Sequence, residues 1–155
     1  MKKRKIEKKY TCTGFGFHVI LIDVPMCEVR GIWTPDINYN ALQKVVLLSL
    51  CHIPAPLTGN QIRFIRKYFA LTLEAFAHIF GVTHAAVLKW EKKGDEIAHI
   101  SVTTEREIRL FVLDALLEGA KDFRNAYRKL VVQDFTQTVT QLCVDAQREL
   151  VAVNM

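Results

Sequence analysis

The sequence predicts a mainly α-helical fold with a small N-terminal β-ribbon, which places it in the α+β class. Residues 15–33 are rich in aromatic and β-branched side chains, which favour strands. Apolar residues recur at helical spacing over most of residues 38–155. Within that region two short helical patterns, at 73–80 and 84–93, flank a turn that contains a glycine. We therefore expect strands first and a helical bundle after them.

Composition limits the class of protein. The chain has 155 residues, half of them hydrophobic, and a formal net charge of +5, which suits one globular domain or two small ones. No apolar run reaches the ~18 residues that a membrane span needs, and no signal-peptide core follows the charged start. The four cysteines lie far apart, at positions 12, 27, 51 and 143. Free thiols in a reducing cytoplasm are the simplest interpretation, so we expect a cytoplasmic protein without membrane contact.

The N-terminal segment is strongly basic. Residues 1–9 hold six Lys or Arg residues against Glu7 alone. Because nothing strongly apolar offsets the entropy of ordering them, these residues are predicted to form a disordered tail. Such a tail is either a solubilising end or an arm that contacts phosphates.

Residues 10–55 are predicted to form a β-ribbon followed by a buried helix. The ribbon pairs a strand over 17–24 with a return strand over 26–33, and Asp23-Val24-Pro25 is the expected break between them. The helix, over 38–51, is apolar nearly all round and so should be buried on more than one side. Pro54 and Pro56 end it, which makes this segment the expected boundary of the module.

Residues 57–118 are predicted to be a second module of four helices, at 58–70, 73–80, 84–93 and 104–118. Thr58 with Gln61, and Thr104 with Glu107, have the spacing of capping boxes. Thr72 and Thr83 can cap the two short helices, and Gly81 between them suits a left-handed helix end. Two such helices at a steep angle are the geometry that lays the second helix in the DNA major groove.

Residues 120–155 are predicted to be C-terminal helices with two apolar stripes. One stripe is Phe123, Tyr127, Leu130 and Val131; the other is Phe135, Val139, Leu142, Ala146 and Leu150. These stripes either pack on the same chain or pair with a second chain, since a dimer can bind two half-sites.

The pattern of the two short helices resembles a known family. Leu71-Thr72, Phe76-Ala77, Gly81-Val82-Thr83, Val87 and Trp90-Glu91 match the Cro/repressor-type (XRE-like) helix-turn-helix. The resemblance implies a helix-turn-helix bundle of the lambda-repressor-like type and binding to double-stranded operator DNA.

A wider resemblance covers roughly residues 10–93. Leu57-Thr58-Gly59, Gln61-Ile62-Arg63 and Arg66-Lys67 look like the start of the same module in MqsA-type (YgiT-type zinc-finger) antitoxins. That resemblance implies a homodimeric transcriptional regulator. It would be the antitoxin of a type II toxin–antitoxin pair, repressing its own operon and neutralising a cognate toxin protein.

The zinc site of that family does not carry over. Cys27 matches the first cysteine of the second CxxC pair, but Arg30 stands where its partner belongs, and Cys12 has no near partner. A structural zinc ion needs four thiolate or imidazole ligands. We therefore expect a degenerate zinc-finger-like module over 10–55, with no metal and no cofactor.

Eight residues are predicted to contact DNA: Thr72, Thr83, His84, Ala85, Leu88, Lys89, Lys92 and Lys93. By the resemblance, positions 84, 85 and 89 face base edges. His84 and Lys89 can donate to guanine, while Ala85 and Leu88 can meet only thymine methyl groups. The threonines and the last two lysines would contact phosphates.

Two other functions stay open at this point. The chain is alternatively an interaction protein that neutralises a protein partner without reading DNA, or a stand-alone prophage-type repressor. An enzyme is not expected, because the sequence shows no paired loop carboxylates, no Gly-rich phosphate loop and no Cys–His motif.

Overall fold

The computed structural model describes residues 2–129 and 141–146, which belong to two compact units. Unit 1 comprises Met1–Ser49 and Gln141–Met155, and unit 2 comprises Leu50–Thr140. The division falls inside a helix and ahead of the predicted boundary near residue 55. In the part of the chain that is described, no helix combines the length and apolarity required to cross a membrane.

Unit 1 is built on a mixed four-stranded sheet with a long central strand. Its strands are β1 (Arg4–Cys12), β2 (Val19–Val29), β3 (Ile32–Pro35) and β4 (Leu142–Asp145). Strand β2 pairs antiparallel with β1, from Arg4 opposite Cys27 to Cys12 opposite Val19. On its other side β2 pairs antiparallel with β3 and parallel with β4.

The predicted break within the ribbon is wrong, because β2 continues through it. Asp23 takes a positive φ of 52°, which offsets the side-chain alternation by one residue. As a result, four apolar side chains on the two sides of Asp23 are all buried: Val19, Leu21, Val24 and Met26. The chain reverses instead at Arg30-Gly31, where φ is 52° and 81°. A two-residue hairpin turn of this kind needs positive φ at both of its central residues to match the twist of the strands.

The disordered tail predicted for residues 1–9 is also wrong, since Arg4–Cys12 form β1. The composition of the tail does not show what lies beside it. Strand β2 is rich in strongly β-forming residues, and its backbone pairs with that of the tail. The Lys5 ammonium lies 4.7 Å from the centre of the Trp33 ring and 3.1 Å from the Glu7 carboxylate. Local partners therefore offset part of the positive charge of the strand.

The helical stripe predicted for the C-terminal segment is wrong where the structure describes it. Leu142–Asp145 form β4, in which Leu142 and Val144 are buried and Cys143 is exposed. A spacing of four residues fits both a helical period and two strand repeats, so the pattern could not separate them. Helix α6, over Ala120–Lys129, agrees with the prediction. Phe135, Val139 and Leu150, with Leu130 and Val131, lie outside the described residues.

Helix α1 (Tyr39–His52) agrees with the predicted buried helix. Its buried residues in unit 1 are Ala41, Leu42, Val45, Val46 and Leu47. Asn38 caps its start, since its side-chain oxygen accepts from the backbone N–H of Ala41 at 3.1 Å.

Unit 2 contains helices α2 (Gly59–Tyr68), α3 (Leu73–Ile79), α4 (His84–Glu91), α5 (Val102–Leu116) and α6. Three predicted caps are confirmed: Thr58 forms a capping box with Gln61, Thr72 caps α3, and Thr83 caps α4. The predicted capping box of Thr104 and Glu107 is wrong. Helix α5 begins earlier, because Ser101 Oγ accepts from the backbone N–H of Thr104 at 3.2 Å.

A buried arginine joins α5 to the proline-containing segment. The Arg109 side chain is 1% exposed, and its two terminal nitrogens donate to three backbone carbonyls of residues 51–55 at 2.8 to 3.0 Å. Glu105 lies 3.8 Å from the same guanidinium and accepts from the backbone N–H of Leu57. Burial raises the pKa of the Glu105 carboxyl, while the Leu57 N–H and Arg109 oppose the rise. The segment 51–57 is thus tied to α5, and its alternate residues Cys51, Ile53, Ala55 and Leu57 are buried.

The predicted fold class needs correction as a whole. The described residues contain six helices and a four-stranded mixed sheet, so the fold is a substantial α+β structure. The sequence predicted a mainly α fold with a small ribbon, organised as a lambda-repressor-like bundle with C-terminal helices. That prediction is wrong. The error arose where strands come from distant parts of the chain, because such pairing leaves no local pattern.

Candidate nucleic-acid interface

Helix α4 is fixed at its start by the turn that precedes it. The Thr83 side chain accepts from the backbone N–H of Ala86 at 3.1 Å. Gly81 has a φ of 65°, the left-handed conformation that glycine adopts without steric cost. Val82 then donates its N–H to the Ala77 carbonyl at 3.0 Å, which closes the end of α3.

The inner sides of α3 and α4 are anchored by apolar packing. Phe76 and Val87 are fully buried. The Phe76 ring meets Phe80 edge-on at 4.7 Å between centroids, and Phe80 meets Phe111 of α5 at 5.6 Å. Edge-to-face aromatic pairs of this kind add specific geometry to area burial. The pair of short helices is therefore held against α5 as well as against each other.

An internal ion pair fixes the other end of α4. Glu91 is 3% exposed, and its carboxylate oxygens lie 2.5 Å and 3.0 Å from Nε and Nη2 of Arg66 on α2. Nη1 of Arg66 also donates to the Leu71 carbonyl at 2.9 Å. Arg63 reaches the same carboxylate at 3.4 Å. Arginines are mostly exposed in folded proteins, but the Arg66 side chain is only 14% exposed.

The start of α2 meets the end of α4 in a close backbone approach. The backbone N–H groups of Gly59 and Asn60 donate to the carbonyls of Glu96 and Gly94 at 3.2 and 2.8 Å. A Cβ at position 59 would lie 2.8 Å from the Gly94 nitrogen and would also contact the Trp90 carbonyl. Only glycine leaves room for this arrangement.

The outward side of α4 is a continuous exposed face. His84, Ala85, Leu88, Lys89 and Lys92 are all exposed, and their spacing places them on one side of the helix. Lys93, at the end of this face, is half-buried. Thr72 and Thr83 are exposed, but their hydroxyl oxygens already accept backbone N–H groups at the starts of α3 and α4.

Five of the eight predicted residues line one open concavity of about 530 Å³. Its lining residues are Ala85, Leu88, Lys89, Lys92, Lys93 and Glu96. Thr72, Thr83 and His84 are not among them. Glu96 was missed by sequence reasoning, because it lies in the loop after α4 and no helical period includes it. Three ammonium groups beside one carboxylate and two apolar side chains suit a ligand that is anionic in part and apolar in part.

The two cysteines of the β1–β2 strand pair are not neighbours. Cys12 on β1 stands opposite Val19 and Cys27 on β2 opposite Arg4, so the two are at opposite ends of the strand pair. Cys51 is buried in unit 2, where desolvation raises the pKa of its thiol from 9.0 to about 12. Within residues 2–129 and 141–146, no three His, Cys, Asp or Glu side chains are grouped for a metal ion.

Comparison of the chain with protein-family models, with curated proteins and with solved structures finds no match.

Proposed function

We propose that the chain is a sequence-specific DNA-binding transcription regulator that places α4 in the major groove of its operator. The observation that supports this most directly is the exposed face of His84, Ala85, Leu88, Lys89 and Lys92 on a helix that is anchored by the buried side chains of Val87 and Glu91. A recognition helix needs both properties: an outward face that is exposed, and an inner face that is packed rigidly against its own domain.

The electrostatics of this face favour DNA. Lys89, Lys92 and Lys93 lie together at the concavity, with Glu96 as the acidic residue of the lining. The nearby Glu91 is enclosed by Arg66 and Arg63 and so adds no exposed negative charge. Clustered ammonium groups attract the phosphate backbone and position the helix for base contacts.

A narrower proposal concerns the biological setting. We infer from the sequence resemblance that the regulator is a homodimeric antitoxin that represses its own operon. The supporting residues are the segments 57–67 and 71–91, which follow the pattern of that family. Co-purification with the product of the adjacent gene tests the antitoxin role, and sedimentation of the purified chain tests the dimer.

A gel shift tests the DNA-binding proposal. The protein is titrated onto its own promoter DNA and onto scrambled DNA of equal length, at two salt concentrations, because phosphate-driven affinity falls steeply with salt. Preference for the promoter that persists at the higher salt supports the proposal. Equal binding to both DNAs, lost at higher salt, would reduce the interaction to charge alone.

A second function is favoured by a specific feature of unit 1. Ile6, Val29 and Ile32 share one face of the sheet by register and are 60%, 42% and 68% exposed. Exposed apolar groups in one patch are typical of protein interaction sites. This would suit the alternative in which the chain neutralises a protein partner. Ile32→Asp should then abolish co-purification of the partner while leaving the gel shift intact.

A further inference from the structure

The two faces of the sheet of unit 1 differ in burial. On the inner face Val19 and Leu21 of β2 are 0% exposed, whereas Ile20 and Ile22, which alternate with them, are only half-buried. Strand pairing places further apolar residues on the same side as these two isoleucines. We call this side the outer face, and its apolar residues are Ile6, Ile20, Ile22, Pro25, Val29 and Ile32. A continuous apolar face of this kind is typical of an interaction surface.

Charges of opposite sign border the outer face at its two edges. Lys9 of β1 and Asp145 of β4 pair with Ile22 from either side, so the three residues lie in one row across the sheet. Neighbouring strands are ~4.8 Å apart, which separates the Cα atoms of Lys9 and Asp145 of one chain by about 10 Å. The apolar centre is therefore basic at one edge and acidic at the other.

This distribution makes the outer face complementary to itself. Packed sheets keep their strands nearly aligned at a separation of about 10 Å. If two outer faces pack about a two-fold axis parallel to β2, Ile22 meets Ile22 of the second copy, and β1 of each copy lies over β4 of the other. Lys9 of one copy then faces Asp145 of the other, and symmetry makes this contact twice. We propose that the outer face is the interface between two copies of this chain.

Other ways of joining two copies are opposed by charge. An in-plane axis perpendicular to β2 would stack β1 on β1 and so set Lys9 and Arg4 of the two copies against each other, since both lie on the outer face by register. Pairing along the edge of β1 that faces away from β2 would join two strands that each carry five Lys or Arg residues. Lysines on an edge strand are a known barrier to such pairing.

This inference rests on the homodimer of the proposed function and deepens it by naming the surface and the contacts that join the copies. It does not require DNA binding, because the outer face belongs to unit 1 and helix α4 belongs to unit 2.

Sedimentation equilibrium of the full chain, without DNA, tests the interface with two charge-reversal variants. In Lys9→Glu two carboxylates would meet at each contact, and in Asp145→Lys two ammonium groups would meet. The dimer Kd of each variant alone should be at least about tenfold above that of the wild type. An equimolar mixture of the two variants should dimerise about as tightly as the wild type, because both contacts of the mixed dimer join opposite charges. Mixing would not repair a variant that had only become less stable.

Two further variants test the apolar centre and the specificity of the charge effect. Ile22→Thr keeps a β-branched side chain in the central strand but removes apolar surface from both copies, so the dimer Kd should rise at least about tenfold. Lys67→Glu reverses an exposed charge on α2 in unit 2 and should keep the wild-type Kd.

Two results would overturn the inference. One is a wild-type chain that stays monomeric over the whole concentration range. If Ile32→Asp also abolished co-purification of another protein, the outer face would belong to that protein. The other result is a mixture of the charge variants that dimerises no better than either variant alone, which would leave the homodimer but not this interface. Loss of promoter preference in a wild-type chain that still dimerises would instead refute the DNA-binding proposal alone.

Discussion

Arg66 encloses the buried carboxylate of Glu91 with a two-point ion pair, and so ties the end of α4 to α2. Both side chains lie mostly inside unit 2, at 14% and 3% exposure. The orientation of the outward face of α4 therefore depends on a contact that lies on the opposite side of the helix.

The first prediction concerns this pair. Arg66→Ala leaves Glu91 buried without its main partner, so it should lower the free energy of unfolding by about 3 kcal/mol or more. Arg63→Ala is the matched control. Arg63 is 44% exposed and makes one longer contact, and its loss should cost less than about 1 kcal/mol. Urea unfolding of both variants measures the difference, and equal losses would contradict the assignment.

The second prediction concerns Gly59→Ala. Helical glycine-to-alanine changes usually stabilise, but here the new Cβ would press on backbone atoms of Trp90 and Gly94 that cannot rotate away. We expect a loss of about 2–3 kcal/mol, typical of overpacking. The control is Gly14→Ala. There the atom nearest to the new Cβ is the hydroxyl oxygen at the end of the Tyr39 side chain, 3.3 Å away. Stabilisation by Gly59→Ala in a thermal melt would refute the close approach.

The third prediction is a pH dependence due to Cys51. Burial raises the pKa of this thiol from 9.0 to about 12, so the unfolded chain releases the proton at lower pH than the folded chain. The stabilising effect is complete below pH 9 and is lost as pH rises towards 12. Between pH 8 and pH 10 the wild type should lose about 1.4 kcal/mol more than Cys51→Ala does. Parallel profiles in urea unfolding would show that the thiol ionises equally in both states.

The fourth prediction separates base reading from phosphate binding. Lys92→Ala should weaken promoter and scrambled DNA alike and reduce the salt slope by about one unit. His84→Ala and Lys89→Ala should lower the preference for the promoter, because their side chains can reach base edges. Lys67→Ala is the control, since Lys67 is exposed on α2 and lies outside the concavity. Unchanged binding in both His84→Ala and Lys89→Ala would contradict the placement of the recognition helix.

Local signals in the sequence predicted the helices of unit 2 well. A capping threonine and the residue three positions later lie on the same helical turn, so Thr58, Thr72 and Thr83 could be recognised from spacing alone. The exposure of the α4 face likewise follows from a helical period. These features need no knowledge of distant residues.

The larger features that the sequence did not reveal depend on distant contacts. Arginine is usually a surface residue, and burial of Arg109 is made tolerable by the three carbonyls of 51–55 together with the Glu105 carboxylate. The pairing of β1 and β4 with β2 joins segments that share no periodic pattern. At the candidate site, the concavity and Glu96 depend on how the loop after α4 returns to the start of α2.

The parallel pairing of β4 with β2 has a consequence for biosynthesis. Val19–Ile22 leave the ribosome early, but their β4 partners Leu142–Asp145 are translated only after all of Leu50–Thr140 has been made. Unit 2 is continuous in sequence, so it can fold first while the sheet of unit 1 waits for its last strand. We expect the nascent chain to acquire the helices of unit 2 before its N-terminal sheet is complete. The order of folding would then differ from the order of synthesis.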